Sequence, residues 1–130
     1  MEYTILSNGV KAPLLGLGTF QLSLADTKNA VYEGICSGVR LIDTANGYLN
    51  EMAVGRAVAR AVDEGLVKRE DLFISTKLWP TVYESESAVD DTLKRLQLDY
   101  VDLLFIHQPA GNFLAGYEKL EKAYREGKAK

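Results

Sequence analysis

The chain has 130 residues, 47% of them hydrophobic and 25% charged, which is the size and composition of one globular domain. Its 15 basic and 18 acidic side chains give a formal net charge of −3, without the clustered basic excess that marks nucleic-acid binders. The length also excludes a complete (β/α)8 barrel, which takes about 250 residues.

The counts of cysteine, histidine and apolar residues narrow the class further. One cysteine and one histidine exclude an intramolecular disulfide and a metal site built from several Cys and His ligands. No stretch approaches the about 18 apolar residues of a membrane span, and the N-terminus lacks a charged-then-apolar signal pattern. We therefore expect a cytoplasmic protein that binds neither membranes nor nucleic acid, with Cys36 as a small core residue on a helix.

The chain opens with two short β-prone runs separated by Ser7-Asn8-Gly9, which contains an Asn-Gly pair. Both residues of that pair accept positive φ angles, which predicts a β-hairpin over residues 3–12. An apolar run at residues 14–17 is the first strand of a second sheet and is broken by Gly18. From Asp26 onward a helical apolar period predicts the first helix, which stops near Gly38.

Three further pairs of apolar strand and amphipathic helix follow, with the strands at residues 41–42, 72–75 and 101–106. The apolar side of the last helix is predicted to consist of Leu114, Tyr117, Leu120 and Tyr124. Continuous apolar strands that alternate with amphipathic helices predict a parallel sheet covered by helices. No composition break marks a linker, so we expect one domain over residues 1–130, with four βα units over residues 14–127.

Each predicted strand ends in polar residues that suit neither a core nor a generic loop. Asp43 and Tyr48 follow the second strand, Lys77 ends the third, and His107 follows the fourth. The carboxyl ends of parallel strands form one edge, so we expect these side chains to converge. Asp43 can keep Lys77 protonated, and an ammonium beside the Tyr48 phenol stabilises the phenolate. A tyrosine so placed can donate a proton to a carbonyl oxygen that His107 orients.

Taken singly, these residues have ordinary structural interpretations. A lone Asp after a strand is usually a turn or capping residue, a lone Lys a solvated charge, and Trp79 a packing residue. Gly16 and Gly18 lack the third glycine of a dinucleotide-binding fingerprint. A barrel of another class with Asp43 and His107 as metal ligands is a weaker alternative, because two ligands without a third make a poor site. The placement of one such group at each strand end favours a metal-free catalytic site.

Three motifs give the sequence a family resemblance. Residues 38–51 contain Gly-Val-Arg-Leu-Ile-Asp-Thr-Ala and then Tyr-Leu-Asn-Glu, which resembles the aldo-keto reductase pattern G-x-R-x-I-D-T-A followed by Y-x-N-E. Residues 74–79 resemble the segment that bears the catalytic lysine of that family, and residues 96–109 the segment that bears its histidine. The opening hairpin and residues 15–19 match the plug and first strand of its barrel, so the resemblance spans essentially the whole chain.

The resemblance implies the N-terminal half of a (β/α)8 barrel that reduces aldehydes or ketones with NADPH. The catalytic tetrad of the family, with the tyrosine as proton donor, matches Tyr48, Asp43, Lys77 and His107. Positions near the nicotinamide match Gly18, Thr19, Phe20 and Asp43, and positions on the substrate side match Trp79 and His107. The His-Gln-Pro form at residues 107–109 resembles bacterial members.

Family members run to roughly twice this length, so the resemblance assigns the groups that stack on the nicotinamide and grip the 2′-phosphate to a second half. The net charge of −3 agrees with the lack of a phosphate-binding basic cluster in these residues. We therefore expect weak or no reductase activity from the 130 residues alone. The alternative is a non-catalytic half-barrel that self-associates through its open sheet edges.

Overall fold

Two sheets contain the six strands of the computed structural model, which describes residues 1–130. The first sheet is an antiparallel hairpin of β1 (Tyr3–Ile5) and β2 (Lys11–Pro13). The second is parallel, in the order β3-β4-β5-β6. Its strands are β3 (Gly16–Gly18), β4 (Leu41–Asp43), β5 (Phe73–Leu78) and β6 (Leu103–Ile106).

One helix follows each parallel strand. The helices are α1 (Leu24–Cys36), α2 (Glu51–Asp63), α3 (Ala88–Leu96) and α4 (Phe113–Arg125). The Ser23 hydroxyl caps α1 by accepting a hydrogen bond from the Asp26 N–H at 3.0 Å. A hairpin followed by four βα units in sequence order is the predicted half-barrel, and this prediction is confirmed.

Strand periodicity sorts the side chains between the two faces of the parallel sheet. Ile42, Ile74, Leu78 and Leu104 belong to a cluster of 20 buried residues shared with the helices. Because successive strand residues face opposite ways, Asp43, Ser75 and Lys77 lie on the face away from the helices. Burying each such Ile or Leu is worth about 1.5–3 kcal/mol, so the helix-covered face holds the sheet in place. The other face carries Asp43, Ser75 and Lys77 together with apolar residues such as Phe73 and Phe105.

Buried polar contacts join α2 to β5 and α3. The Glu51 carboxylate, only 1% exposed, accepts hydrogen bonds from the Thr76 hydroxyl at 2.6 Å and the Arg95 Nε at 2.8 Å. Gly55 lies against the end of α3, where a Cβ atom would stand 2.4 Å from the Leu96 carbonyl oxygen. The glutamate that ends the Y-x-N-E motif therefore serves the packing of the helices on the sheet.

Several predicted boundaries differ from the structure. The hairpin loop spans residues 6–10 rather than 7–9, with Gly9 at a φ of +85° and the Leu6 N–H donating to the Val10 carbonyl. β3 begins at Gly16, because Leu14 and Leu15 are exposed and pair with no strand of the parallel sheet. Local apolar character did not distinguish these connecting residues from the strand itself.

The start of β6 is later than predicted for a different reason. The Asp102 carboxylate accepts the Ile74 N–H at 2.9 Å and so takes the place of a backbone carbonyl in the ladder. Val101 instead bridges Ala129 in parallel, with the Val101 N–H donating to the Lys128 carbonyl at 3.0 Å. Residues 128–130 therefore lie beside the start of β6, on the side away from β5.

The predicted apolar side of α4 is wrong in three of its four positions. Leu114, Tyr117 and Tyr124 are exposed, and only Leu120 packs against the core. The buried positions of α4 are Gly116 and Ala123, because this helix meets β6 and its neighbours through small residues. The aromatic side of α4 instead faces the region beyond the β6 edge.

Two smaller findings concern Cys36 and membrane insertion. Cys36 is exposed in the last turn of α1, so its predicted core position is wrong, and the buried positions of that helix are Thr27, Val31 and Ile35. None of the four helices has the length and hydropathy needed to cross a bilayer.

Candidate active site

The carboxyl edge of the parallel sheet gathers the four polar residues predicted to form a site. Asp43 ends β4, Lys77 is the fifth residue of β5, and His107 follows β6 directly. Tyr48 ends a one-turn 3-10 helix over Asn46–Tyr48, just beyond β4. The register pairs Asp43 with Ser75 across the two strands, and Lys77 lies two residues further along the same face. The strand geometry itself therefore brings Lys77 to Asp43.

The Lys77 ammonium is held by three oxygen atoms. Its Nζ lies 2.6 Å from Asp43 Oδ2, 2.9 Å from the Thr44 carbonyl oxygen and 3.4 Å from Tyr48 Oη. These contacts match its three N–H donors. Because Tyr48 Oη accepts from Lys77, the phenol proton is free to be donated to another group. The other Asp43 oxygen accepts the Ser75 hydroxyl at 2.6 Å.

Packing fixes the turn that carries Tyr48. Leu49, which ends the turn, has a left-handed φ of 60°. A Cβ atom at Gly47 would stand 3.1 Å from the Trp79 ring, so the turn lies closely on the indole. The Asn46 side chain accepts the Trp79 N–H at 3.3 Å, and the Phe20 ring centroid lies 5.0 Å from that of Tyr48. Tyr48 itself is half-buried.

His107 lies edge-on to two aromatic rings. Its centroid is 5.6 Å from that of Tyr48 at 85° and 4.9 Å from that of Trp79 at 89°. Burial and, second, the Lys77 charge lower the pKa of His107 from its ordinary value, while Asp43 opposes this shift. The imidazole is therefore neutral at neutral pH, with one nitrogen that donates and one that accepts. Its Nδ1 atom is buried without a hydrogen-bond partner.

The residues predicted to lie near a nicotinamide divide into exposed and buried members. Gly18 and Phe20 are exposed, and no heavy atom lies within 4 Å of the point where a Gly18 Cβ would stand. Thr19 is fully buried, and its hydroxyl bonds to Thr44 Oγ1 at 2.9 Å and to Asn50 Oδ1 at 3.2 Å. The Thr19 hydroxyl therefore holds the loop after β3, while its neighbours on both sides face outward.

Sequence reasoning missed three residues that support the cluster, namely Thr44, Ser75 and Asn50. The Asn50 amide donates to the Thr19 carbonyl at 2.7 Å, which ties α2 to the loop after β3. A signal for each was available, because Thr44 and Asn50 lie inside the motif at residues 38–51 and Ser75 shares the strand face of Lys77. No group of three His, Cys, Asp or Glu residues that could hold a metal ion includes Asp43 and His107.

The arrangement defines a class of protein, a parallel α/β half-barrel whose carboxyl edge carries a Lys-Asp pair beside a tyrosine. The family model described as "Aldo/keto reductase family" matches residues 14–130. The chain therefore belongs to the aldo/keto reductase family, as the motifs predicted.

Known relatives agree with this assignment. The chain is 46% identical over 111 residues to an NAD(P)H-dependent D-xylose reductase of Kluyveromyces lactis, which covers 83% of the chain and 34% of the relative. It is 41% identical over 130 residues to the uncharacterized oxidoreductase YtbE of Bacillus subtilis, covering 96% of the chain and 46% of the relative. The Bombyx mori aldo-keto reductase, solved in complex with NADP, superimposes with a TM-score of 0.92 at 34% identity.

The chain matches only one part of each of these proteins. The superposition on the Bombyx mori structure covers 98% of this chain and 48% of the other. The chain thus spans about half, or less, of the length of the relatives that it matches.

Proposed function

We propose that residues 1–130 carry the proton-donating part of a reductase that converts aldehydes or ketones to alcohols with NADPH, and that Tyr48 is the proton donor. The observation that supports this most directly is the contact of 3.4 Å between Lys77 Nζ and Tyr48 Oη, with Asp43 bonded to the same ammonium at 2.6 Å. The phenol keeps its proton for an incoming acceptor and has a cation ready to stabilise the phenolate that remains.

The residues around Tyr48 fit the nicotinamide end of that cofactor. Gly18 leaves open space, Phe20 is 63% exposed beside the Tyr48 ring, and the buried Nδ1 of His107 lacks a partner. When bound, the reduced nicotinamide supplies a hydride to the carbonyl carbon. Gly18, Phe20 and the backbone of the Thr19 loop would hold this end of the cofactor, with Asp43 directly behind them.

This chain then acts on the carbonyl oxygen. Tyr48 Oη transfers its proton to that oxygen, and Lys77 holds the resulting phenolate through the contact that already exists. Neutral His107 orients the carbonyl with a ring N–H, and Trp79 covers the substrate from the same side. Asp43 keeps Lys77 in place and charged through the whole step. A small carbonyl compound is therefore the proposed substrate class.

A hybrid enzyme tests the proton donor. Residues 1–130 are joined to the carboxyl-terminal part of the Kluyveromyces lactis reductase, whose name specifies both cofactor and sugar, and NADPH oxidation is followed with D-xylose and an aldehyde panel. Tyr48→Phe is expected to lower kcat by at least about 100-fold, as loss of a general acid does. Tyr100→Phe, at the opposite end of the sheet, serves as the matched control and should retain turnover.

The 130-residue chain alone is expected to show no measurable NADPH oxidation with the same panel, because it spans half or less of its relatives. Robust turnover by this chain, abolished by Tyr48→Phe, would contradict that expectation and would confine the whole active site to these residues. A Tyr48→Phe hybrid as active as its parent would instead remove Tyr48 from the proton-donor role.

The exposed side of α4 supports a second candidate, self-association of the chain. A groove of about 570 Å³ beside β6 is lined by apolar side chains that include Leu103, Tyr117 and Tyr124. Phe105 on the β6 edge is 41% exposed and Tyr117 is 56% exposed. Two copies that together close an eight-stranded barrel would cover both open edges of each sheet, β3 and β6.

Light scattering at micromolar concentration tests this second candidate. It predicts a dimer that Tyr117→Glu converts to a monomer, whereas the same change at exposed Leu66, remote from α4, leaves the dimer intact. A wild-type chain that is cooperatively folded and strictly monomeric contradicts it.

A further inference from the structure

Tyr83 is a fully buried tyrosine outside the cluster at the carboxyl edge. Its hydroxyl donates a hydrogen bond to the Gln108 carbonyl oxygen at 2.8 Å and accepts one from the Gln108 N–H at 3.1 Å. Both backbone groups of a single residue are therefore satisfied by one side chain. A phenylalanine would fill the same space without either bond, so the hydroxyl is what distinguishes this position.

The residue held in this way adjoins His107. On its other side, the His107 N–H donates to the Leu78 carbonyl oxygen at 3.1 Å, which ties it to the end of β5. The imidazole itself makes no polar contact through Nδ1 and touches the rings of Tyr48 and Trp79 at their edges. The direction of the ring therefore depends on the two backbone anchors, one at Leu78 and one at Tyr83.

Helix α4 holds Tyr83 from behind. A Cβ atom at Gly116 would stand 2.7 Å from Tyr83 Cδ1 and 2.8 Å from Ile106 Cδ1, closer than side chains can approach. Glycine weakens a helix interior relative to alanine, so its presence here is explained by the space that the Tyr83 ring needs. The contact of α4 with this ring holds the Tyr83 hydroxyl within hydrogen-bond distance of the Gln108 backbone.

We propose that Tyr83, backed by Gly116, is a positioning residue that sets the orientation of the His107 imidazole through the Gln108 backbone. Its effect on turnover rests on the function proposed above, but its effect on the ring can be measured without any activity. The charged and titratable groups that face His107 are Lys77, Asp43 and Tyr48, and Tyr83 contacts none of them through its hydroxyl.

Proton NMR of the 130-residue chain tests the proposal, because its single histidine gives one set of imidazole signals. In the wild-type chain, the ring currents of Tyr48 and Trp79 are expected to displace these signals from those of a solvated histidine. Tyr83→Phe is expected to remove at least half of that displacement. It should also raise the titration midpoint of His107 toward the ordinary value of about 6.5. Tyr124→Phe, an exposed tyrosine on α4, is the matched control and should leave both unchanged.

Gly116→Ala gives a second and independent test, because it keeps the Tyr83 hydroxyl but displaces the ring. It should move the His107 signals in the same direction as Tyr83→Phe. Gly34→Ala on α1, where the new Cβ would meet a flexible Leu17 methyl at 3.3 Å, is its control. If Tyr83→Phe does not fold, Gly116→Ala decides, and if neither variant folds, the two residues are structural and the proposal is overturned.

Wild-type His107 signals in a folded Tyr83→Phe chain overturn the proposal, whatever the hybrid enzyme does. In the hybrid, Tyr83→Phe should lower kcat about 10-fold with little change in the KM for NADPH, since the displaced group acts on the carbonyl and not on the cofactor. A hybrid in which Tyr48→Phe is fully active would refute the proposed function while the NMR result on Tyr83 stands.

Discussion

Two lysine–aspartate pairs lie at opposite ends of the parallel sheet. They differ in whether a hydrogen-bond donor beside the pair remains without an acceptor. At the amino end, the Asp102 carboxylate, 3% exposed, accepts from Arg69 at 2.8 Å, Lys130 at 2.8 Å and the Ile74 N–H at 2.9 Å. At the carboxyl end, Lys77 bonds to Asp43 and also donates to the half-buried Tyr48, whose own proton is not used.

The comparison distinguishes an ion pair that stabilises the fold from one that belongs to the candidate active site. Both oxygens of the Asp102 carboxylate accept from donors within the chain, so this group joins β5, Arg69 and Lys130. The pair at the carboxyl end is shorter, at 2.6 Å, and its lysine also contacts a half-buried phenol that has donated its proton to no group. Similar residue types therefore have different roles at the two ends of the sheet. The Asp102 network is satisfied within the chain, whereas the Asp43–Lys77 pair adjoins a phenol that can still donate its proton.

The largest expected difference between the two ends is in stability. Asp102→Asn should lower the free energy of unfolding by about 3 kcal/mol, because it removes the charge of a buried carboxylate that pairs with both Arg69 and Lys130. Asp43→Asn should cost about 1 kcal/mol, because the Lys77–Asp43 pair is partly solvated. Urea denaturation followed by circular dichroism measures both, with Asp90→Asn, in an exposed pair with Lys128, as the control. Equal losses of unfolding free energy in Asp102→Asn and Asp43→Asn would contradict this difference between the two ends.

A smaller effect concerns the pH dependence of the carboxyl end. Burial lowers the pKa of His107 in the folded chain, so the unfolded chain binds more protons as the pH falls through the ordinary value of about 6.5. The stability linked to neutral His107 is therefore complete above about pH 6.5 and is lost as the pH falls through the lower folded pKa.

Urea midpoints at about pH 7.5 and about pH 5.5 measure this loss, and His107→Gln removes the titrating group. The wild-type chain should lose more stability than His107→Gln over this interval. If both chains respond alike, the imidazole is not held in its neutral form by its surroundings.

Much of the fold and the position of the site followed from the sequence. Apolar periodicity and the order of the elements predicted the half-barrel, and the polarity at the strand ends predicted that Asp43, Lys77, Tyr48 and His107 meet. Both predictions depend on chain direction in a parallel sheet, which is a property of the backbone. They do not require knowledge of which side chains touch.

What the sequence could not predict depended on neighbours distant along the chain. The amphipathic pattern of α4 marks Tyr117 and Tyr124 as apolar but does not say that the helix buries Gly116 and Ala123 and leaves both tyrosines exposed. The sequence predicts Asp102 as the second residue of a strand. In the structure its carboxylate instead replaces a backbone acceptor. Tyr83 has no local signal at all, because its hydroxyl meets Gln108 25 residues away.

The most direct test of the central claim compares one variant from each end in the hybrid enzyme. Tyr48→Phe is expected to lower kcat at least about 100-fold with the unfolding midpoint unchanged, and Asp102→Asn to lower the midpoint while the folded enzyme keeps its kcat. A Tyr48→Phe enzyme that retains kcat, or an Asp102→Asn enzyme that loses kcat without losing stability, would contradict the division of the sheet into a structural and a chemical end.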